Sequence, residues 1–496
     1  MNIRLTQPFL VLKKDLLEKD LPLLKINKFN RFIRRRIPFF MDGYRYASYA
    51  VKKRWNLNTY FFESGHDQVK PVWLDDTINE KAGKLWLEIM EKNNNFAKDI
   101  VNELKDILKL EKKIAKSIPN KELKPKEIER YILVHLDWWI KFFEVAWLWF
   151  CVENIKDKTD EEIKNIWNES KEKLDHFLNA VYRPMKFPMS SIEQRDLLKL
   201  CKLNGLFLEV ALKKHWNKYK HLSLHNIDDE FFDISYYKGR LKVLENNEEY
   251  KKQKEILDKA DQELKEANNL LKKSKLPISI KNKINLVRWF MYLRTETIDH
   301  FMLVNKAYKP VFISLSKIFN LPIDAVLHMT YKEIIDSLKE GKLIISSDLI
   351  MDRTKNGYAY LIAPHGSYLV TGKEVDELQN IVIPKEDKKE IKELKGQVAF
   401  KGKVRGIARV ILDRRNANEL KEGEILVTTM TSPEFVPAMK ISSGVITNEG
   451  GILCHAAIMS RELRKPCVIG TKIATDLIKT GQEIILDANS GIITLL

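Results

Sequence analysis

Thr447-Asn448-Glu449-Gly450-Gly451-Ile452-Leu453-Cys454-His455-Ala456-Ala457-Ile458-Met459-Ser460-Arg461-Glu462 is the stretch on which the reading of this chain turns. With Ser443-Gly444-Val445-Ile446 before it, the pattern predicts a buried strand, a glycine turn and a helix that begins at a histidine. Gly450 and Gly451 let the backbone turn with unusual φ and let a donor come close. Cys454 falls at about the N-cap, while Ala456 and Ala457 keep the first helical turn clear and favour helix. His455 then sits at the positive end of a helix beside free backbone N–H groups, a setting that suits an imidazole carrying a dianionic phosphoryl group. Neutral imidazole predominates near pH 7, so such a nucleophile needs little activation. Standing alone, His455 reads as an ordinary histidine at a helix start.

It does not stand alone. Gly396-Gln397-Val398-Ala399-Phe400-Lys401-Gly402-Lys403-Val404-Arg405-Gly406-Ile407-Ala408-Arg409-Val410-Ile411 predicts an opening strand and turn, and Gly423-Glu424-Ile425-Leu426-Val427-Thr428 a further strand. Thr431-Ser432-Pro433-Glu434 has the hydroxyl cap, early proline and following acid of a helix start. Pro466-Cys467-Val468-Ile469-Gly470 predicts another buried strand. The runs 481–487 and 491–495 predict a closing hairpin.

Together these segments resemble the phosphohistidine swivelling domain of the phosphoenolpyruvate-utilising enzymes, among them phosphoenolpyruvate synthase, pyruvate phosphate dikinase and rifampin phosphotransferase. The resemblance implies a small C-terminal β/β/α domain over 396–496. It implies that His455 is the phosphoryl carrier, with Gly450, Gly451, Cys454 and Ala456 around the phosphate. Arg461 is a candidate phosphate contact and equally an exposed helix arginine. Three positions depart from the pattern. Leu453 stands where members commonly have threonine, which puts regulation by phosphorylation there in doubt. Phe400-Lys401 replaces Ser-Pro in the opening turn, and Ser460 replaces alanine.

A chain of 496 residues, 44% hydrophobic and 31% charged, fits two to four domains with a real core. Residues 396–496 carry 13 Lys+Arg and 10 Asp+Glu, a net of +3, so +14 of the overall +17 belongs to the rest. The basic excess reads as lysine-rich composition with interleaved acids rather than as a nucleic-acid footprint, since no nucleic-acid fold signature accompanies Arg31-Phe32-Ile33-Arg34-Arg35-Arg36. That cluster leaves a peripheral membrane role as a third and weaker alternative. Cys151, Cys201, Cys454 and Cys467 show neither metal spacing nor a disulfide framework, and with no signal peptide the expectation is a cytoplasmic protein. The most apolar stretch, 131–152, is broken by His135, Asp137, Lys141 and Glu144, and predicts a buried helix without membrane insertion.

Residues 1–75 read as irregular. From 80 to 320 the apolar spacing is helical, in segments near 80–118, 123–157, 160–180, 191–220, 238–275 and 281–320. Prolines at 119, 184 and 277 separate several of them. The fold class expected is thus multidomain α+β: a mostly helical region 1–320, a small mixed connecting region 321–383, a charged linker 384–395, and the C-terminal domain. A linker of that kind suits a domain that must rotate between sites.

No glycine-rich nucleotide domain of the ATP-grasp kind and no phosphoenolpyruvate-binding barrel is legible. The remaining order is similar to the rifampin phosphotransferase layout without its nucleotide domain. The resemblance therefore implies an ATP-grasp partner protein that holds ATP and Mg²⁺, no cofactor or metal in this chain, and a small-molecule acceptor in the helical region. Trp138, Trp139, Phe142, Phe143, Trp147, Trp149 and Phe150 suffice to line an acceptor pocket; an aromatic core is the commoner outcome of such a cluster. Arg288, Arg294 and Glu296 are candidates for contact with the phosphoryl group or for salt-bridged helix faces. His300, His328 and His365 are weaker candidates for a general base. His221 and His225 do not complete a zinc motif. The competing expectation is a phosphohistidine-bearing regulator or scaffold whose helical region binds a protein.

Overall fold

In the computed structural model, the residues described are 29–34, 51, 54–55, 61–65, 70–146, 148–223, 231, 233–245, 247–363, 366–372, 374–376, 378, 392–412, 414–431, 435–449 and 455–496. The chain forms two units, divided between Val382 and Ile383.

The first unit corrects the expectation of an irregular start. Strands β1 (Phe29–Arg34), β2 (Phe61–Gly65) and β3 (Lys70–Asp75) precede the helices. The helices are α1 (Asp76–Lys92), α2 (Phe96–Ser117), α3 (Pro125–Ala146), α4 (Leu148–Ile166), α5 (Lys171–Val181), α6 (Met189–Leu200), α7 (Gly205–Tyr219), α8 (Ile234–Leu244), α9 (Asn247–Lys273), α10 (Ile278–Phe319), α11 (Ile323–Leu327), α12 (Tyr331–Glu340) and α13 (Ser347–Asn356). Prolines act as expected at 119, 184 and 277, where no helix continues through. Expected helices are interrupted at 93–95, at 167–170 and at 201–204, the last just before Gly205, whose φ is +55°. Pro310 stays inside the 42-residue α10.

Strands β4 (Tyr358–Ala363) and β5 (Gly366–Thr371) complete an antiparallel sheet in the order β1-β3-β2-β4-β5. Strand β2 pairs with β4, Phe61 facing Ile362 and Gly65 facing Tyr358, so the pairing runs from the start of the chain into the region beyond 321. One apolar core joins these parts: Trp86, Ile100, Leu104, Trp139, Phe142, Val311, Tyr331 and Tyr360 all belong to it. Helix α12 begins at a capping box, Thr330 Oγ1 accepting from Glu333 N and Glu333 accepting from Thr330 N. The same Glu333 takes a bidentate pair from buried Arg353 at 2.9 and 2.9 Å. Helices α6, α7 and α8 pack round a smaller core of their own, including Leu197, Leu212, Tyr219 and Tyr237.

The second unit holds β6 (Glu393–Lys395), β7 (Gln397–Phe400), β8 (Lys403–Val410), β9 (Ile425–Thr428), α14 (Val436–Ile441), β10 (Gly444–Thr447), α15 (His455–Leu463), β11 (Cys467–Ile469), α16 (Ala474–Leu477), β12 (Glu483–Asp487) and β13 (Ile492–Leu495). The last three residues of the expected linker are thus a strand; residues 384–391 lie outside the described residues. The sheet order is β6-β13-β12-β8-β9-β10-β11-β7, with β8, β9, β10 and β11 parallel and the flanking strands antiparallel. The expected opening strand and turn are β7 and the residues 401–402 that follow it; β7 and β8 do not pair and lie far apart in this order. The expected closing hairpin is present, Asp487 facing Ile492.

The two ends of the order, β6 and β7, are separated in the chain by Gly396 alone, so the sheet curls until its edges meet there. A Cβ on Gly396 would stand 2.6 Å from Val468 Cγ1 and 2.7 Å from Ile469 O, which is why a glycine occupies this corner. Side chains alternate across the parallel strands. Ile425, Val427, Ile446 and Val468 share one core with Ile484, Leu486 and Ile493. Leu426, Val445, Cys467 and Ile469 face the other way, into a core shared with Phe435, Met439, Ala456 and Ala457. Every residue of β9, β10 and β11 is buried. Such two-sided burial explains their unbroken apolar runs.

Candidate functional site

The carboxyl ends of β9, β10 and β11 gather a set of small polar residues: Thr428, Thr429 and Thr431, then Thr447 and Asn448, then Thr471, all buried. Ligand sites in open parallel sheets occur at this end of the strands. Here the hydrogen bonds knit the strand ends together. Asn448 N donates to Thr428 O at 3.1 Å and Glu449 N to Thr429 O at 2.9 Å. Thr471 donates to Thr447 O through both its N–H, at 3.1 Å, and its hydroxyl, at 3.0 Å. Thr447 Oγ1 donates to Glu449 O at 2.6 Å, bending the chain just after the strand.

Helix α15 covers His455–Leu463, and residues 450–454 before it lie outside the described residues. Ala456 and Ala457 are 1% and 0% exposed, and α15 packs on β7, β10, β11 and α14. A larger residue in that first turn would meet the sheet. Ser460, where the family pattern has alanine, is fully buried, and its hydroxyl has no hydrogen-bond partner among the described residues. Gly450, Gly451, Leu453 and Cys454 lie outside the described residues, as do the side chains of His455 and Arg461. The positions of His455 and Arg461 on α15 are therefore backbone placements: the first residue of the helix, and a residue of its second turn.

In the first unit Trp138, Trp139 and Phe142 are 1%, 0% and 0% exposed and pack on one another, Trp138 stacking on Phe142 at 5.3 Å. Trp147 lies outside the described residues. Arg288 is buried and donates to Arg183 O at 2.8 Å and Asn268 Oδ1 at 2.6 Å, whereas Arg294 is exposed. These two arginines are thus not brought to a common site. His328 is buried with its Nδ1 2.6 Å from Asp324 O, and His365 and the side chain of His300 lie outside the described residues. Burial holds the His221 imidazole down at about 4, and His225 is outside the described residues.

Two buried titratable groups of this unit carry no sequence signal. His135 lies between Trp138, Trp139, Tyr308 and Tyr331, its Nδ1 2.9 Å from the Tyr331 hydroxyl. Desolvation lowers its imidazole to about 3, so it is neutral. Glu111 is 1% exposed and neither carboxyl oxygen has a hydrogen-bond partner among the described residues; desolvation pushes it well above the usual carboxylate range. Both sit at helix positions that read simply as polar interruptions of an apolar stripe.

Among the described residues, no helix is long and apolar enough to cross a membrane. Residues 420–491 match the family model of the PEP-utilising enzyme mobile domain. The chain is 48% identical over 100 residues to the probable phosphoenolpyruvate synthase of Archaeoglobus fulgidus, covering 20% of this chain and 13% of that protein. It is 43% identical over 130 residues to the phosphoenolpyruvate synthase of Pyrococcus furiosus, covering 25% and 16%. Against the phosphoenolpyruvate synthase of Aquifex aeolicus the figures are 42% over 117 residues, 24% and 14%. The similarity lies over the C-terminal region, and the chain spans only that small fraction of the relatives' length.

Proposed function

We propose that this protein is a component of a dikinase-type phosphotransferase, with His455 as the phosphoryl carrier. The observation that carries the reading is a histidine at the first position of a helix, at the carboxyl ends of buried parallel strands, within a region matching the PEP-utilising mobile domain. A nitrogen lone pair of His455 attacks the donor's phosphorus. The N–P bond forms as the donor's P–O bond breaks, and the leaving oxygen keeps the pair. An acceptor oxygen then attacks the same phosphorus, the N–P bond breaks, and the imidazole recovers its electrons. Helix N-terminal N–H groups favour the dianion throughout.

The donor in this reading is ATP on a separate ATP-grasp partner that holds Mg²⁺: His455 attacks the β-phosphorus and AMP leaves with the bridging oxygen, then water attacks the γ-phosphorus and phosphate leaves, so that the β-phosphoryl group stays on His455; the setting is the cytoplasm. The acceptor is a small molecule held by the helical unit, where Trp138, Trp139 and Phe142 serve as its rigid packed support. Tagged protein incubated with β-labelled ATP in extract of its own source should acquire acid-labile, base-stable label, and His455→Ala should acquire none. Equal label in both proteins would overturn the reading.

A second reading, a phosphohistidine-bearing regulator or scaffold, draws on Leu206 and Phe207 of α7, which are 74% and 80% exposed. Label on His455 that no small molecule discharges, together with protein capture lost in Phe207→Ser, would favour it.

A further inference from the structure

Asn448 is 3% exposed and uses every polar group it has. Its N–H donates to Thr428 O at 3.1 Å, on the end of β9. Its carbonyl accepts from Lys472 N at 2.9 Å, beyond β11. Its side-chain Oδ1 accepts from Thr475 N at 2.9 Å, and Nδ2 donates to Thr475 Oγ1 at 2.6 Å, at the start of α16. One residue thus ties together the ends of three segments. It is also the first residue after β10 and lies seven positions before His455 in the chain. Lys472 takes a left-handed φ of +69° to present its N–H, a conformation costly for a residue with a Cβ.

We propose that Asn448 is a positioning residue for phosphoryl transfer: it anchors the end of β10, from which the chain runs on to α15, so that His455 and the N-terminal N–H groups of α15 meet the phosphoryl group in register. The proposal rests on the carrier reading of His455. A latch with four hydrogen bonds restricts the end of β10 far more than backbone pairing alone, and transfer rates respond steeply to small misplacements. The Asn448→Asp variant keeps the acceptor for Thr475 N, and the Thr475 hydroxyl reverses to donate to it. The Asn448→Ala variant loses both side-chain bonds. Thr475→Val removes only the Nδ2 bond and provides a folded test should Asn448→Ala fail to fold.

The probe is potassium phosphoramidate, which needs no partner protein. The imidazole nitrogen attacks phosphorus, the donor's P–N bond breaks, and ammonia leaves with the bonding pair. Label at His455 is followed by ³¹P NMR, with His455→Ala as blank, and the folded fraction by circular dichroism. Reaction of His455 with diethyl pyrocarbonate, mapped by mass spectrometry, measures access to the ring independently. Folded Asn448→Ala should be phosphorylated slower by on the order of tenfold or more, with diethyl pyrocarbonate reactivity kept; Thr475→Val should be slowed less and Asn448→Asp little. Wild-type rates in Asn448→Ala and Thr475→Val would overturn the proposal while leaving the carrier reading intact. Losses that only track the unfolded fraction would also overturn it, assigning Asn448 a structural role. A wild type that diethyl pyrocarbonate modifies at His455 but phosphoramidate does not would overturn the carrier reading itself, and this proposal with it.

Discussion

His135 is buried without charge and Glu111 is buried with its carboxyl held well above the usual range, and the two place opposite slopes on stability. The folded state holds His135 at about 3, below its ordinary 6.5, so as pH falls below 6.5 the unfolded chain takes up a proton that the fold refuses. Stability is therefore lost on the acid side, by up to about 1.4 kcal/mol per pH unit. Glu111 is raised above 4.5, so as pH rises past 4.5 the unfolded chain releases a proton that the fold keeps. Stability is lost on the alkaline side, until the folded value is passed. Between 4.5 and 6.5 the two slopes oppose each other. Urea unfolding of Glu111→Gln against wild type should show a gain that grows above pH 4.5, while His135→Phe should lose the acid-side slope. Slopes unchanged by either substitution would contradict the assignment. In the second unit, Ser460→Ala removes a buried hydroxyl with no partner among the described residues and should raise stability by about 1 kcal/mol.

Elements of the second unit succeed or fail by close packing at two glycines. A Cβ at Gly444 would stand 2.7 Å from Leu486 Cδ2 and 3.1 Å from Val404 Cγ1, where side chains have some room to give. At Gly396 it would meet backbone, Ile469 O at 2.7 Å, which cannot move without breaking the strand. Gly444→Ala should cost about 1–3 kcal/mol and Gly396→Ala the upper end of that range or beyond, read as denaturant midpoints. Equal, small costs would show that the sheet relaxes freely at its corner. The strands β9, β10 and β11 were legible because burial on both faces leaves unbroken apolar runs such as Ile425-Leu426-Val427. That a helix includes the Ala456-Ala457 pair was legible from its helix-favouring composition. Asn448 lay in plain view as one polar residue at a strand end, but its partners Lys472 and Thr475 come 24 and 27 residues later, and no local pattern announces them. The sheet order was hidden for the same reason: β7 and β8 are neighbours in the chain and not in the sheet.

Across the whole molecule the net charge of +17 sets up self-repulsion that salt relieves. Unfolding midpoints in urea should rise between about 0.01 and 0.15 M salt, as the screening length falls from roughly 30 to 8 Å. A fall would mean that ion pairs such as Arg353–Glu333 outweigh the repulsion. Of the strands before residue 75, β2 has both a near and a far neighbour: Phe61 faces Leu74 on one side and Ile362 on the other, and only the first pairing is local in sequence. The meeting of sheet edges at Gly396 has a consequence for biosynthesis. Strand β6 pairs with β13, Leu394 with Ile493, so the seam cannot close until the chain has grown by about a hundred residues. At ribosomal rates of about 5–20 residues per second, that leaves β6 waiting for roughly 5–20 s. Over that interval a growing chain presents an unsatisfied strand to its neighbours on the same message, and chaperones that cover such edges should raise the yield of folded protein more than slower unfolding would.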